Sequence, residues 1–201
     1  MHINFILPKP KLYYCPIMNR NEAECLLKKY VRNEKMLYHC YSSEAVMRAL
    51  ADKLDKDVEK WGLAGLLHDI DTEITNADPQ KHALVAEELL RDEGIEEDIL
   101  DAIKMHNEEA TGLERFTEFQ YALAAGETIT GLIYATALVY PDKKIKDVKT
   151  KSVTKRMKQS AFAASVSRDN IMECEKIGFS LNEFAEIALN AMKEISDKIG
   201  L

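Results

Sequence analysis

The sequence predicts an all-α fold, and three observations support this prediction. Apolar residues recur at the three- and four-residue spacing of helices along most of the chain. Stretches of alternating apolar and polar residues, which half-buried strands would show, are not found. The 201 residues include only eight Gly and five Pro, with abundant Ala, Leu, Glu and Lys, which favour helices. With 46% hydrophobic and 30% charged residues, the chain has the composition of a globular protein with a sizeable core.

The apolar spacing predicts nine helices, and turn residues mark several of their ends. Asn19 and Glu22 have the spacing of an N-terminal helix cap, whereas Gly94 and Gly178 each follow a helical segment. The polar, acidic segment 70–79 is predicted to be a loop. The predicted helices cover residues 20–32, 37–54, 58–69, 80–93, 95–107, 117–140, 152–164, 167–178 and 181–199.

The chain divides into a short extension and one domain. Residues 1–17 form an N-terminal extension, which either is an appendage ahead of an internal start at Met18 or packs on the domain surface. Residues 18–201 form a single domain, with a core in 20–140 and additional C-terminal helices in 152–199. The last helix has an apolar face that either packs on this core or forms the surface of a homodimer.

Charge and hydropathy argue against several classes of protein. The formal net charge of −7 opposes general binding to nucleic acid. No apolar run reaches the roughly 18 to 20 residues of a membrane span, and residues 1–17 are too weakly apolar for a signal peptide. The four cysteines have no CxxC spacing, which predicts a reducing, cytoplasmic setting.

Histidines and acids on the apolar faces of different predicted helices form the main functional signal. A single inward histidine is usually a hydrogen-bonded core residue, but several imidazoles and carboxylates together are costly to bury without partners or a metal. Nitrogen and oxygen donors from converging helices are typical of transition-metal sites in helical cores. The residues concerned are His39, His68, Asp69, His82, His106 and Glu127.

The order His, His-Asp, His, His, acid resembles that of the HD-domain superfamily of metal-dependent phosphohydrolases. The surrounding segments "HCYSSEAVMRALADKL", "WGLAGLLHDID", "HALVAEELL" and "IKMHNE" agree with this resemblance. The chain is most similar to the hydrolases of the HDIG type, over roughly residues 20–140. The resemblance implies an HD-domain helical bundle with additional C-terminal helices.

The resemblance also implies a set of metal ligands. His39, His68 and Asp69 match the first three ligands of the motif, and His68 and Asp69 are also its catalytic residues. His82 and His106 match the additional histidines of the dinuclear members, in which Asp69 would bridge two metals. One or two divalent transition metals are therefore expected per chain, with Fe, Mn, Co, Ni or Zn suited to these donors.

Two positions depart from the motif of the superfamily. Glu127 occupies the place of the final ligand, which is usually Asp, and its longer side chain can still reach a metal. The chain has "HDID" where many relatives have "HDIG" followed by Lys. Asp71 and Glu73 therefore either support the ligands or a metal-bound water, or are solvated acids in a loop.

The expected substrate is a small phosphorylated metabolite, with nucleotides as the first class to consider. Two metals can activate a hydroxide that attacks phosphorus without any protein nucleophile. Residues 142–158 hold eight Lys or Arg against two Asp, so this basic segment either neutralises phosphate or is a solvated face. Lys155 and Arg168 are the candidate substrate-binding residues.

Two other functions use the same residues. A di-iron pair held by these ligands would support oxygen-dependent oxidation instead of hydrolysis. A non-catalytic module that senses a ligand or binds a partner would retain the metal for stability, and Glu127 in place of Asp favours this alternative. Iron content with oxygen consumption distinguishes the first from a hydrolase.

Overall fold

The computed structural model describes residues 18–201, and within this range it contains helices but no strand. The prediction of an all-α fold is therefore confirmed. The predicted extension, residues 1–17, lies outside the described residues. The α-helices are α1 (Arg20–Tyr30), α2 (Glu34–Lys53), α3 (Val58–Leu67), α4 (Thr72–Thr75), α5 (Leu84–Asp92), α6 (Glu97–Met105), α7 (Glu108–Thr111), α8 (Glu118–Leu138), α9 (Thr150–Met157), α10 (Arg168–Met172) and α11 (Leu181–Glu194). Short 3₁₀ turns cover Ile145–Asp147, Glu173–Ile177 and Ser196–Ile199.

Helix α8 is the central element of the bundle. It is apolar on almost every side, which is typical of a helix buried in a core rather than on a surface. Helices α2, α3, α6, α9, α10 and α11 all pack against it. Helix α1 covers α3, and α5 covers α6.

Helices α2 and α3 approach each other at the level of their backbones. A Cβ atom added to Gly65 would lie 2.6 Å from the carbonyl oxygen of Ser43, so only glycine permits this contact. The approach places the end of α3, with His68 and Asp69, against the first half of α2, where His39 lies.

Several predicted helix starts are confirmed, with caps that the sequence supplies. The side chain of Asn19 accepts hydrogen bonds from the backbone of α1, and the carboxylate of Glu22 accepts one from the backbone N–H of Asn19. Thr117 begins α8 and Ser180 begins α11 with the same reciprocal arrangement. These caps satisfy backbone N–H groups that would otherwise lack partners.

Other predicted boundaries were wrong. The helix predicted over 80–93 begins only at Leu84, because Ala83 has a φ of +76° and interrupts it. The helix predicted over 152–164 ends at Met157, and residues 159–167 form a loop. The segment 70–79, predicted as a loop, contains the one-turn helix α4.

The C-terminal helix α11 packs on the core through its apolar face. Phe184, Ala188 and Met192 are buried against α2, α8 and α9. This packing is the first of the two roles predicted for that face, while a homodimer remains a prediction. Among residues 18–201, no helix is both long enough and apolar enough to cross a membrane.

Candidate metal centre

Four imidazoles surround the carboxylate of Asp69. Nε2 of His39 lies 3.4 Å from Oδ2, and Nε2 of His82 lies 3.1 Å from Oδ1. Nε2 of His68 and of His106 lie 3.5 Å and 3.6 Å from Oδ1. The imidazoles form two pairs, because Nε2 of His39 and His68 are 3.1 Å apart and those of His82 and His106 are 3.0 Å apart.

These contacts define two groups that share Asp69 and are each positioned to hold a metal ion. We call His39, His68 and Asp69 the first half-site, and Asp69, His82 and His106 the second half-site. Within each group the donor atoms lie within 4.8 Å of one another. Four of the predicted histidines and Asp69 are thus brought together by the fold.

Two of the histidines are oriented by the ends of their own helices. His68 follows α3 and His106 follows α6, where backbone carbonyls lack helical partners. Nδ1 of His68 donates to the carbonyl oxygen of Gly65 at 2.9 Å, and Nδ1 of His106 donates to that of Ile103 at 2.5 Å. Because a carbonyl only accepts, these bonds place the proton on Nδ1 and turn Nε2 towards Asp69.

His39 is oriented by a hydroxyl group of the central helix. The Oγ1 of Thr130 donates to the carbonyl oxygen of Glu127 at 2.6 Å. That hydroxyl can therefore only accept from Nδ1 of His39, which lies 2.9 Å away. Nε2 of His39 again faces the carboxylate of Asp69.

His82 is oriented by a buried carboxylate. It lies in the turn before α5, and its Nδ1 donates to Oδ1 of Asp71 at 2.7 Å. The other oxygen of Asp71 accepts from the backbone N–H groups of Ala83 and Ala86 at 2.9 Å and 3.0 Å. Of the two roles considered for Asp71, the supporting one agrees with this geometry, because its side chain is fully buried.

The second acid of the loop serves a different element. Oε1 of Glu73 accepts from the backbone N–H groups of Arg32 and Asn33, both at 2.7 Å. These residues lead directly into α2, and Asn33 is its N-cap. The acidic stretch after His68 and Asp69 thus contacts the segments that carry His39 and His82.

The electrostatics of the centre favour a bound cation. Burial opposes ionisation of Asp69, but the imidazoles around it, His68 foremost, hold the pKa of its carboxyl well below the usual range. Burial lowers the pKa of His39, and lowers the pKa of His68 to about 3, so both are neutral at physiological pH. Burial also acts against charge on His82, but hydrogen bonds to Asp69 and Asp71 prevail and raise its pKa to about 10.

Glu127 lies at the edge of the first half-site. Its Oε2 is 3.6 Å from Nε2 of His39, and its other oxygen accepts a hydrogen bond from Oγ1 of Thr128. Burial raises the pKa of Glu127 to about 8, although the bond from Thr128 favours the carboxylate. The distance to His39 is short enough for Glu127 to join a metal site there, but its role as a ligand stays a prediction.

The centre opens to solvent on one side. The side chains of His39, His82 and Glu127 are 23%, 17% and 16% exposed. By contrast, the side chain of His68 is fully buried and that of His106 is 5% exposed. The part of the centre that reaches solvent is therefore that of His39, His82 and Glu127.

The two predicted substrate-binding residues lie on the C-terminal part. Lys155 is exposed on α9. The guanidinium of Arg168 donates to backbone carbonyls of the loop 159–167, among them those of Ala163 at 2.7 Å and Val166 at 2.6 Å. Arg168 therefore braces this loop, and a role of either residue in binding substrate stays a prediction.

Sequence reasoning missed Arg115, a buried arginine behind the second half-site. Its Nη1 donates to the carbonyl oxygens of Met105 and His106 at 3.0 Å and 3.2 Å. Its Nε and Nη2 donate to the two carboxylate oxygens of Glu173 at 2.7 Å and 2.9 Å. Nothing in the local sequence distinguishes this arginine from a surface residue, because all of these partners lie at least nine residues away.

The donors of the centre fit divalent transition metals. Four imidazoles and a shared carboxylate suit Fe, Mn, Co, Ni or Zn, whereas Mg and Ca prefer oxygen ligands. The histidines that the fold keeps neutral, His39 and His68, are in the form that binds metal.

Comparison with protein families agrees with this geometry. The model of the HD domain matches residues 36–138, just over half of the chain. The chain therefore belongs to the HD-domain family, which indicates the superfamily of metal-dependent phosphohydrolases. Both half-sites and Glu127 lie inside the matched range, whereas Lys155, Arg168 and Glu173 lie beyond it. No solved structure matches the chain.

Proposed function

We propose that the protein is a metal-dependent phosphohydrolase that cleaves a phosphoester bond of a small phosphorylated metabolite, with nucleotides as the first class to test. The convergence of four Nε2 atoms on Asp69, at 3.1–3.6 Å, is the observation that carries this proposal. Each Nδ1 has a partner of its own, so the ring nitrogens that face Asp69 are those available for a metal.

In this proposal each half-site holds one divalent transition metal, and Asp69 serves both. Glu127 is the proposed additional ligand of the first half-site, because its carboxyl lies beside Nε2 of His39 on the open side. Such metals would polarise the phosphoryl group and lower the pKa of a water, so that it would ionise near neutral pH and the hydroxide would attack phosphorus. A protein nucleophile is then unnecessary.

The rest of the chain orients the ligands and shields them from water. The backbone carbonyls of Gly65 and Ile103 fix the rings of His68 and His106 by accepting hydrogen bonds from their Nδ1 atoms. The apolar ends of α3 and α6 exclude solvent from that side, since Leu66, Leu67 and Ile103 are fully buried. A phosphorylated substrate therefore meets the centre only where His39, His82 and Glu127 are exposed.

The basic segment 142–158 is proposed to neutralise the charge of the substrate. The loop that follows α9 packs against the central helix, because a Cβ atom on Gly131 would lie 3.2 Å from Val166. Gly131 is one helical turn beyond Glu127, so Val166 of this loop lies close to the turn of α8 that carries Glu127. Lys155 is the proposed phosphate-binding residue, while the carbonyl contacts of Arg168 favour a supporting role for that residue.

The test is a panel of phosphorylated metabolites and nucleotides, assayed for phosphate release with Mn, Fe, Co, Ni, Zn or Mg. Metal-dependent turnover is expected, and Asp69→Ala should lower it by about 1,000-fold or more, because the shared ligand supports several kcal/mol of transition-state stabilisation. Asp52→Ala, which removes an exposed acid of α2, is the matched control and should retain full activity.

The outcomes separate the proposed function from its alternatives. Turnover that Asp69→Ala retains would contradict the proposed site. A silent panel with metal-loaded protein would contradict the hydrolase, and oxygen consumption would then test the di-iron alternative. Metal binding without either reaction would leave the non-catalytic module.

A further inference from the structure

Asp71 is a fully buried acid whose two carboxylate oxygens have separate tasks. Oδ1 accepts from Nδ1 of His82 at 2.7 Å. Oδ2 accepts from the backbone N–H groups of Ala83 and Ala86, at 2.9 Å and 3.0 Å. One oxygen therefore holds a ring of the second half-site, and the other holds the start of the helix that follows it.

His82 differs from the other three histidines in two respects. The Nδ1 partners of the other three are neutral, namely the carbonyls of Gly65 and Ile103 and the hydroxyl of Thr130. His82 alone among the four donates its Nδ1 proton to a carboxylate, which makes the opposite nitrogen a stronger donor to a metal.

The backbone of His82 also needs an external anchor. The residue lies in the turn before α5, next to Ala83 with its φ of +76°, so no helix fixes the direction of its ring. The N-cap of α5 has no side-chain hydrogen bond of its own. Asp71 supplies that missing acceptor to Ala86, the third residue of the helix, and thereby fixes the turn and the ring together.

We propose that Asp71 is the positioning residue of the second half-site, and that binding of a second metal ion depends on its carboxylate. The carboxylate holds the Nδ1 proton of His82 and directs Nε2 to Asp69. The inference rests on the proposed function, in which both half-sites hold metal. It makes the second acid of "HDID", Asp71, a support of the second half-site.

The variant Asp71→Asn separates the two tasks of the side chain. Two backbone N–H groups compete with one ring nitrogen for the amide oxygen, so that oxygen stays on Ala83 and Ala86. The amide NH₂ then faces Nδ1 of His82 and can only donate to it. The ring must therefore carry its proton on Nε2, the nitrogen whose lone pair would otherwise bind the metal. The start of α5 is preserved.

The experiment measures metal binding with Mn²⁺ or Zn²⁺ by equilibrium dialysis and elemental analysis. The wild type is expected to bind two ions per chain, whereas Asp71→Asn retains the first with wild-type affinity and binds the second about 10- to 100-fold more weakly. In the metal-free protein, ¹⁵N NMR is expected to find a proton on Nδ1 of His82 in the wild type and none there in the variant.

Glu73→Gln is the matched control. It is the same change from acid to amide, two residues along the chain, and its amide oxygen can still accept from the backbone of Arg32 and Asn33. This variant should bind two ions with unchanged affinities.

Several outcomes would overturn the inference. These are two ions bound by Asp71→Asn with wild-type affinities, a proton retained on Nδ1 of His82, or a wild type that saturates at one ion. An Asp71→Asn protein that fails to fold, as judged by circular dichroism, would assign the carboxylate to the start of α5 alone and also overturn it. Loss of one ion in a protein that hydrolyses nothing would contradict the proposed function and support the inference.

Discussion

The two half-sites share Asp69 but are held in different ways. The first half-site is carried by α2 and α3, two helices whose backbones touch at Ser43 and Gly65. The second half-site is carried by a turn and by the end of the short helix α6, and buried charges hold both: Asp71 for His82, and Arg115 behind His106. Helix packing fixes the ligands of the first half-site, and contacts with buried charged side chains fix those of the second.

This difference follows from where the ligands occur along the chain. His39 lies within a 20-residue helix, and His68 directly follows a helix that is buried along most of its length. His82 lies in the turn before α5, a nine-residue helix in which only Ala86 and Leu90 are buried, whereas His106 ends α6, whose apolar residues pack against α3 and α8. At the turn of His82, the buried side chain of Asp71 therefore supplies the rigidity that the packing of α5 does not supply.

The largest expected effect comes from removing the arginine behind the second half-site. Arg115→Met leaves the partly buried carboxylate of Glu173 without its partner, together with the carbonyls of Met105 and His106. We expect the free energy of unfolding to fall by about 3 kcal/mol, because a partly buried charge and two carbonyls lose their donor at once. Urea unfolding measures this loss, and metal titration should show that the second ion is weakened more than the first.

A paired variant shows whether the loss comes from the stranded charge. Arg115→Met combined with Glu173→Leu removes both partners, and this double change should cost less than Arg115→Met alone. A double variant less stable than the single one would mean that Arg115 acts through its carbonyl contacts and not through Glu173.

A smaller effect is expected from crowding the helices of the first half-site. Gly65→Ala places a methyl group 2.6 Å from the backbone carbonyl oxygen of Ser43, so α2 and α3 must separate. We expect a loss of about 2 kcal/mol in the free energy of unfolding, the usual cost of overpacking a core. Binding of the first metal ion should weaken, because His39 and His68 move apart, while the second ion is less affected.

Gly126→Ala, on α8, is the matched control. Its added methyl group would meet the flexible end of Met47, whose Sδ lies 3.1 Å away and can move aside. We expect a loss below about 1 kcal/mol and no change in metal binding. Equal losses for the two variants would show that the backbone contact between α2 and α3 has no special role.

The residues of both half-sites were predicted from the sequence, because all four histidines occur at helical spacing among apolar residues. The local structure was predicted better for the first half-site than for the second. The helical position of His82 was predicted wrongly, because Asp71, eleven residues earlier, stops the helix short at Ala83. Such a contact is tertiary and leaves no local pattern.

The same reason explains why the contact between Arg115 and Glu173 was not predicted. The chain brings Arg115 and Glu173 together across 58 residues, and Glu173 lies outside the range that matches the HD domain. By contrast, the caps at Asn19 and Glu22 were predicted correctly, because both partners lie within one helical turn. Local rules predicted the helices and the ligands, whereas the supports of the second half-site depend on the complete fold.

The smallest expected effect concerns the hydroxyl that orients His39. Thr130→Val keeps the shape of a fully buried side chain but removes the acceptor of Nδ1. The ring then loses the contact that directs Nε2 to Asp69, and we expect the first metal ion to bind about tenfold more weakly. Calorimetric titration with Mn²⁺ or Zn²⁺ measures the two ions separately, and the second should be unchanged.

Thr136→Val tests whether this effect is specific to the histidine. Thr136 is buried on the same helix and donates to the carbonyl oxygen of Leu132 at 2.7 Å, but within residues 18–201 it has no hydrogen bond with a histidine. The loss of a buried hydroxyl is therefore matched, and metal binding should not change. Weakening of both ions by Thr130→Val would mean that the half-sites act as one unit through Asp69. Weakening of the first ion alone, opposite to the result expected for Asp71→Asn, would show that each metal position has its own support.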